Sequence, residues 1–226
     1  MSKLDLGNNE FINYEFHENI GKNTIVFSNS LGSDLSMWDP QFEYFKDNYQ
    51  IICYDKRGHG KSSPIQGPYT FDMLENDVIS IMDEIGIDKV HFVGLSMGGM
   101  TSLGLALKHS NRFDKLVCCA ARADMPPPAI EAWDQRMAVV EDKGTQGVVQ
   151  GSLERWFSDK FRNDVANNHI LEKAEEMIKS TSTNGYIGSC NAIKGLDYLR
   201  ELGKIKKDFL YICLLYTSPS PRDIRR

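Results

Sequence analysis

Five short runs of apolar and β-branched residues recur along the chain: Thr24 to Ser28, Gln50 to Tyr54, Val90 to Val93, Lys115 to Ala120, and Asp208 to Cys213. Their length and continuous apolar character predict strands buried on both faces. Helical patterns separate most of them. Between the second and third runs, Phe71, Leu74, Val78, Ile81, Met82 and Ile85 follow the three- and four-residue steps of one helix face, and Gly86 ends it. Asp72 and Glu75 sit near the start, where the helix dipole favours negative charge. Apolar strands alternating with helices predict an α/β domain with a mostly parallel sheet and helices on both faces. Tyr14 and Phe16 alternate with polar neighbours, which predicts an antiparallel hairpin at the sheet edge.

After Ala120 the pattern changes. Met125 Pro126 Pro127 Pro128 opens a stretch with helical periodicity and almost no strand signal, as an inserted helical cap would have. The expected organisation is therefore a core over 1–124, a cap over 125–203 and a return to the sheet over 204–213. Residues 214–226, Leu214 to Arg226, continue neither pattern and read as a non-native tail. With it, the last strand and helix of such a fold are expected to be missing.

Composition narrows the function classes. The longest unbroken apolar stretch, Phe209 to Tyr216, is far below the ~18 residues of a membrane span, so no membrane helix is expected. Thirty-one acidic residues against 26 basic ones give a net charge of −5 without a basic stripe, which argues against nucleic-acid binding. Five cysteines, at 53, 118, 119, 190 and 213, are odd in number and lie mostly in apolar runs. That is the pattern of free thiols in a reducing compartment, and with no secretion signal at the start it places the chain in the cytosol. No His or Cys pair has a metal-ligating arrangement, so neither metal nor cofactor is expected.

The chemistry concentrates at Gly94 Leu95 Ser96 Met97 Gly98 Gly99, directly after His91 Phe92 Val93 and before the helix-like Met100 to Lys108. A nucleophile between strand and helix must turn sharply, so small residues flank it two positions away on both sides. The turn presents the Ser96 hydroxyl, and the Met97 N–H at the helix start faces a developing oxyanion. A second donor is needed from the loop after the early strand, Ser28 to Trp38, where the Leu31 N–H is placed to serve. His59, between two glycines in Asp55 to Ser62, reads as a loop-packing histidine rather than a base.

The Asn29 to Gly32 loop, the run Asp55 to Ser62 and the elbow Gly94 to Gly99 together resemble the α/β-hydrolases. Ser28 to Trp38 followed by Asp39 Pro40, the elbow, and the pattern Trp133, Arg136, Arg155 Trp156 Phe157 are similar to the 3-oxoadipate enol-lactonases, over about residues 10 to 213. That resemblance implies hydrolysis of a small lactone bearing a carboxylate to 3-oxoadipate, in the catabolism of aromatic compounds. Trp133, Arg136 and Trp156 are then the expected substrate contacts, with Arg136 meeting the carboxylate beneath an aromatic wall. Solvated helix charges and core packing are the other readings of these residues.

The same resemblance places the acid and the histidine base of a triad after later strands. Here no histidine follows His169, Asp223 stands in unrelated surroundings, and Asp124 is an alternative acid without a base. A serine without a proton acceptor is a poor nucleophile, so little activity is expected of this chain. Two other enzyme readings stay open, a carboxylesterase and a cofactor-free perhydrolase, as does a non-catalytic ligand-binding module.

Overall fold

A computed structural model describes residues 2–213, and the tail over 214–226 lies outside them. The chain opens with a hairpin, β1 (Ser2–Gly7) and β2 (Glu10–His17), turned through Asn8 and Asn9 at φ 55° and 63°. Asparagine tolerates this left-handed region, which matches the twist of the flanking strands. Then follow β3 (Thr24–Ser28), α1 (Asp39–Phe45), β4 (Gln50–Tyr54), α2 (Phe71–Ile85), β5 (Val90–Leu95), α3 (Met97–Lys108) and β6 (Phe113–Cys119). A helical segment comes next: α4 (Pro127–Lys143), α5 (Val149–Trp156), α6 (Asp159–Arg162), α7 (Asn168–Ser180) and α8 (Thr183–Lys194). Strand β7 (Asp208–Ile212) closes the described chain.

The seven strands form one sheet in the order β1-β2-β4-β3-β5-β6-β7. The hairpin is antiparallel and β3 to β7 pair in parallel. Alternation along the strands divides the core. Val26, Ile52, Phe92 and Leu116 face Val78, Ile81 and Met82 of α2 and Leu105 of α3. Ile25, Phe27, Ile51 and Cys53 face the other way, toward Trp38 and α1.

The α2 reading holds along its whole length. Thr70 caps its start by accepting from the Met73 N–H at 3.2 Å, and Gly86 ends it at φ 78°. Strand β5 runs past the expected Val93 to Leu95, because Gly94 still pairs with Ser28 and Cys118 on its two neighbours. Helix α3 begins at Met97 rather than Met100, with no residue between turn and helix. Strand β6 starts at Phe113 and stops at Cys119, since Ala120 turns to φ 49°.

The prolines after Met125 fall where proline suits a helix, in the first turn of α4. Buried residues of α4, α7 and α8 (Val140, Ile178, Tyr186, Cys190) share one apolar cluster with Leu31 and Met97. The helical segment is thereby seated over the C-terminal ends of β3 and β5.

Candidate active site

Ser96 stands at φ 54° and ψ −111°, a conformation that L residues avoid. What holds it there is visible on all sides. The Ser96 N–H donates to the Cys119 carbonyl at 2.8 Å, and the Ser96 carbonyl accepts from Met100 N–H at 2.8 Å. A β-carbon on Gly94 would collide with the Gly98 carbonyl, one on Gly98 with the Ser28 carbonyl, and one on Gly99 with the Ala121 β-carbon. All three glycines are required because three backbone segments meet at the elbow. The serine is half-buried, and its Oγ makes no hydrogen bond to any described residue.

The loop after β3 is tied to this turn by the Gly98 N–H, which donates to the Asn29 carbonyl at 3.1 Å. Asn29 is fully buried: its Nδ2 donates to the Tyr54 carbonyl at 3.1 Å and its Oδ1 accepts from Trp38 Nε1 at 3.0 Å. These bonds set Leu31 beside the elbow. The Leu31 and Met97 side chains are buried in the same cluster, so only their backbones can act on a ligand. Neither amide is committed to an acceptor among the described residues, whereas the neighbouring Ser96 and Gly98 amides are. Two uncommitted N–H groups near a half-buried hydroxyl with no hydrogen-bond partner among the described residues, one of them at the start of a twelve-residue helix, suit a developing oxyanion.

The Asp55 to Ser62 run is scaffolding. The buried Asp55 carboxylate accepts from Asn13 Nδ2 at 2.8 Å, Leu35 N–H at 2.7 Å and Lys61 N–H at 2.9 Å, which joins hairpin, β3 loop and its own loop. Arg57 donates twice to Asp77 of α2, at 2.7 and 2.6 Å. His59 is fully buried with Nδ1 at 2.9 Å from the Arg57 carbonyl, and desolvation lowers its pKa to about 4. It is a neutral packing group at physiological pH. His17 is bound to the Lys46 carbonyl at 3.0 Å, His91 packs edge-on to Tyr49, and no histidine among the described residues is hydrogen-bonded to Ser96. Asp124 lies 3.5 Å from Arg122 and bridges to Asp197. Burial pushes the thiols of Cys53, Cys118 and Cys190 up to about 12, which leaves them inert.

Above the β3 loop, the helical segment supplies a cation in an aromatic frame. The Arg136 guanidinium lies 5.0 Å from the Trp133 ring and 5.7 Å from that of Tyr186, and donates to Ser152 Oγ at 2.8 Å. Tyr186 in turn covers Gly32, where a β-carbon would stand 3.5 Å from its ring. One aromatic ring thus separates Arg136 from the loop that carries Leu31. Trp156 is half-buried against the shared apolar cluster, and no ring contact or hydrogen bond among the described residues joins it to Arg136. Sequence reading missed Tyr186 and Ser152 as parts of this arrangement, and named Asn29 only as the first residue of the loop that carries the family resemblance. Only Asn29 had a local signal, its place directly after a buried strand.

Helix α7 also docks here, with Lys173 Nζ donating to the Ser36 carbonyl at 2.8 Å and to Asp39 Oδ2 at 2.6 Å. Helix α8 is seated through glycines: Gly185 approaches Gly58 so closely that neither could carry a β-carbon. Among the described residues no helix is long and apolar enough to cross a membrane, and no group of three or more His, Cys, Asp or Glu could hold a metal.

Comparison with known proteins agrees with this architecture. Residues 23–201 match the family described as alpha/beta hydrolase fold. The chain is 36% identical over 201 residues to 3-oxoadipate enol-lactonase 2 of Acinetobacter baylyi, covering 89% of this chain and 74% of that one. It is 31% identical over 192 residues to a putative carbamate hydrolase RutD of Agrobacterium fabrum, covering 84% and 73%. The crystal structure of the enol-lactonase from Burkholderia xenovorans LB400 superposes with a TM-score of 0.88 at 32% identity, covering 96% of this chain and 84% of that one. Elbow, sheet order and sequence together identify the chain as a member of the α/β-hydrolase family, with 3-oxoadipate enol-lactonases among its relatives.

Proposed function

We propose that this chain is built to hydrolyse the ester bond of a small carboxylated lactone of the 3-oxoadipate enol-lactone class, with Ser96 as nucleophile. The observation that carries the reading is the strained Ser96 turn with the uncommitted Leu31 and Met97 amides beside it. Ser96 Oγ attacks the lactone carbonyl, and the carbonyl oxygen takes up negative charge facing the two N–H groups. Collapse of this intermediate breaks the ring C–O bond. The leaving enol oxygen takes a proton and tautomerises to the ketone, while water hydrolyses the ester left on Ser96. Residues 125–203 act as the cap, and Arg136 meets the substrate carboxylate between Trp133 and Tyr186. Trp156 adds to the apolar wall. The enol-lactonase relatives support this substrate class.

The proton on Ser96 Oγ has no imidazole to receive it among the described residues. Attack by Ser96 is therefore slow, because an unassisted serine hydroxyl is a poor nucleophile near neutral pH. Hydrolysis of the enol-lactone, followed beside simple aryl esters, tests the proposal. Ser96→Ala removes the turnover that runs through the ester on Ser96, and Arg136→Gln raises KM for the carboxylated lactone about tenfold or more while leaving neutral esters unaffected. Turnover unchanged by Ser96→Ala refutes the nucleophile. The same elbow can serve a carbamate, a reading favoured by the relatives named as putative carbamate hydrolases. A carbamate beside the lactone in that assay separates the two.

A further inference from the structure

Ser152 lies near the middle of α5, is 1% exposed, and its hydroxyl proton is spent on the Val148 carbonyl at 2.7 Å. Its oxygen is thereby left as an acceptor, and it accepts from two different arginines: Arg136 at 2.8 Å and Arg155 at 3.0 Å. Two guanidinium groups on one neutral oxygen are close neighbours of like charge. Other arginines of this chain meet carboxylates: Arg57 meets Asp77, Arg112 meets Asp83, and Arg162 meets Asp159. Neither Arg136 nor Arg155 has an ion pair with a described carboxylate, and Arg136 Nε is buried without an acceptor. The arrangement is unfavourable for an empty protein and favourable once an anion sits between the two forks.

We infer that Arg155, held to Arg136 through Ser152, is the second arm of a two-arginine clamp for the substrate carboxylate, with Ser152 as its positioning residue. This rests on the lactone-hydrolase reading and deepens it: the ligand must present a full carboxylate on a short arm, and esters lacking one lose both forks. Arg136 lies against the Trp133 and Tyr186 rings, whereas Arg155 is exposed and is joined to the same site through Ser152. Arg155 therefore adds affinity for the charged arm and touches nothing at the elbow.

Calorimetric titration of the full chain with adipate, a six-carbon dicarboxylate that cannot react, tests the clamp against dimethyl adipate as the uncharged control. Arg155→Gln is expected to weaken adipate binding about tenfold, and Ser152→Ala to weaken it and also to shrink the loss caused by Arg155→Gln, because the two residues act through one contact. Arg155 is exposed, so its variant folds as the parent does, and circular dichroism of each variant checks this. Adipate binding equally well to Arg155→Gln and the parent overturns the clamp and leaves the lactone reading standing. Dimethyl adipate binding as tightly as adipate overturns both.

Discussion

Lys56 is 1% exposed beneath the elbow, with its Nζ donating to Ser28 Oγ at 2.6 Å and lying 5.1 Å from the Tyr54 ring. Desolvation dominates the nearby charges of Asp77 and Asp55 and lowers its pKa from 10.5 to about 7. Between those two values the unfolded chain holds a proton that the folded chain does not, so this group makes stability rise as pH rises through that window. Below about 7 both states are protonated and its contribution is flat. Lys56→Met, similar in volume, is expected to raise the denaturation midpoint at neutral pH and to remove that rise. Chemical denaturation across the window reads both, and a variant whose slope with pH equals the parent's contradicts the assignment. Nothing local marks Lys56 as buried, because lysine between Asp55 and Arg57 reads as a polar loop. Ser96 was legible for the opposite reason: its geometry is imposed by glycines within three residues of it.

At the scale of elements, the Asp55 to Ser62 loop is fastened to α2 by the Arg57–Asp77 pair, whose side chains are 14% and 4% exposed. Removing one partner of a buried pair strands the other charge. Asp77→Ala is thus expected to cost about 3 to 5 kcal/mol, measurable by urea denaturation, while a loss below about 1 kcal/mol would mark the pair as solvated. Helix α2 could be read from sequence because its apolar face, its Thr70 cap and its Gly86 stop are all local. The seating of α7 and α8 could not. Lys173 reaches Ser36 and Gly185 meets Gly58 across more than a hundred residues, and such contacts leave no periodicity in either segment. For the same reason Arg136 was named from the enol-lactonase resemblance and its helical neighbour Trp133, whereas Tyr186 and Ser152, which frame it, went unread.

Across the whole molecule, the alternation of buried runs was enough for the sheet and its layers, and the order β4-β3-β5-β6-β7 places the loops after β3 and β5 side by side. Strand β7 forms one edge of the described sheet, with Leu210, Tyr211 and Ile212 56%, 38% and 45% exposed. An apolar edge of this kind recruits other strands. Leu210→Lys is expected to lower self-association, seen as reduced light scattering at high protein concentration, and unchanged scattering would show that this edge is not the sticking surface. Hydrolysis of the lactone requires that the hydroxyl at the elbow react. Incubation of the full chain with a fluorophosphonate, followed by peptide mass spectrometry, measures this most directly. A single adduct is expected to form slowly on the peptide containing Ser96 and to be absent from Ser96→Ala. Labelling at another residue, or equal labelling of Ser96→Ala, would contradict the assignment of Ser96 as nucleophile.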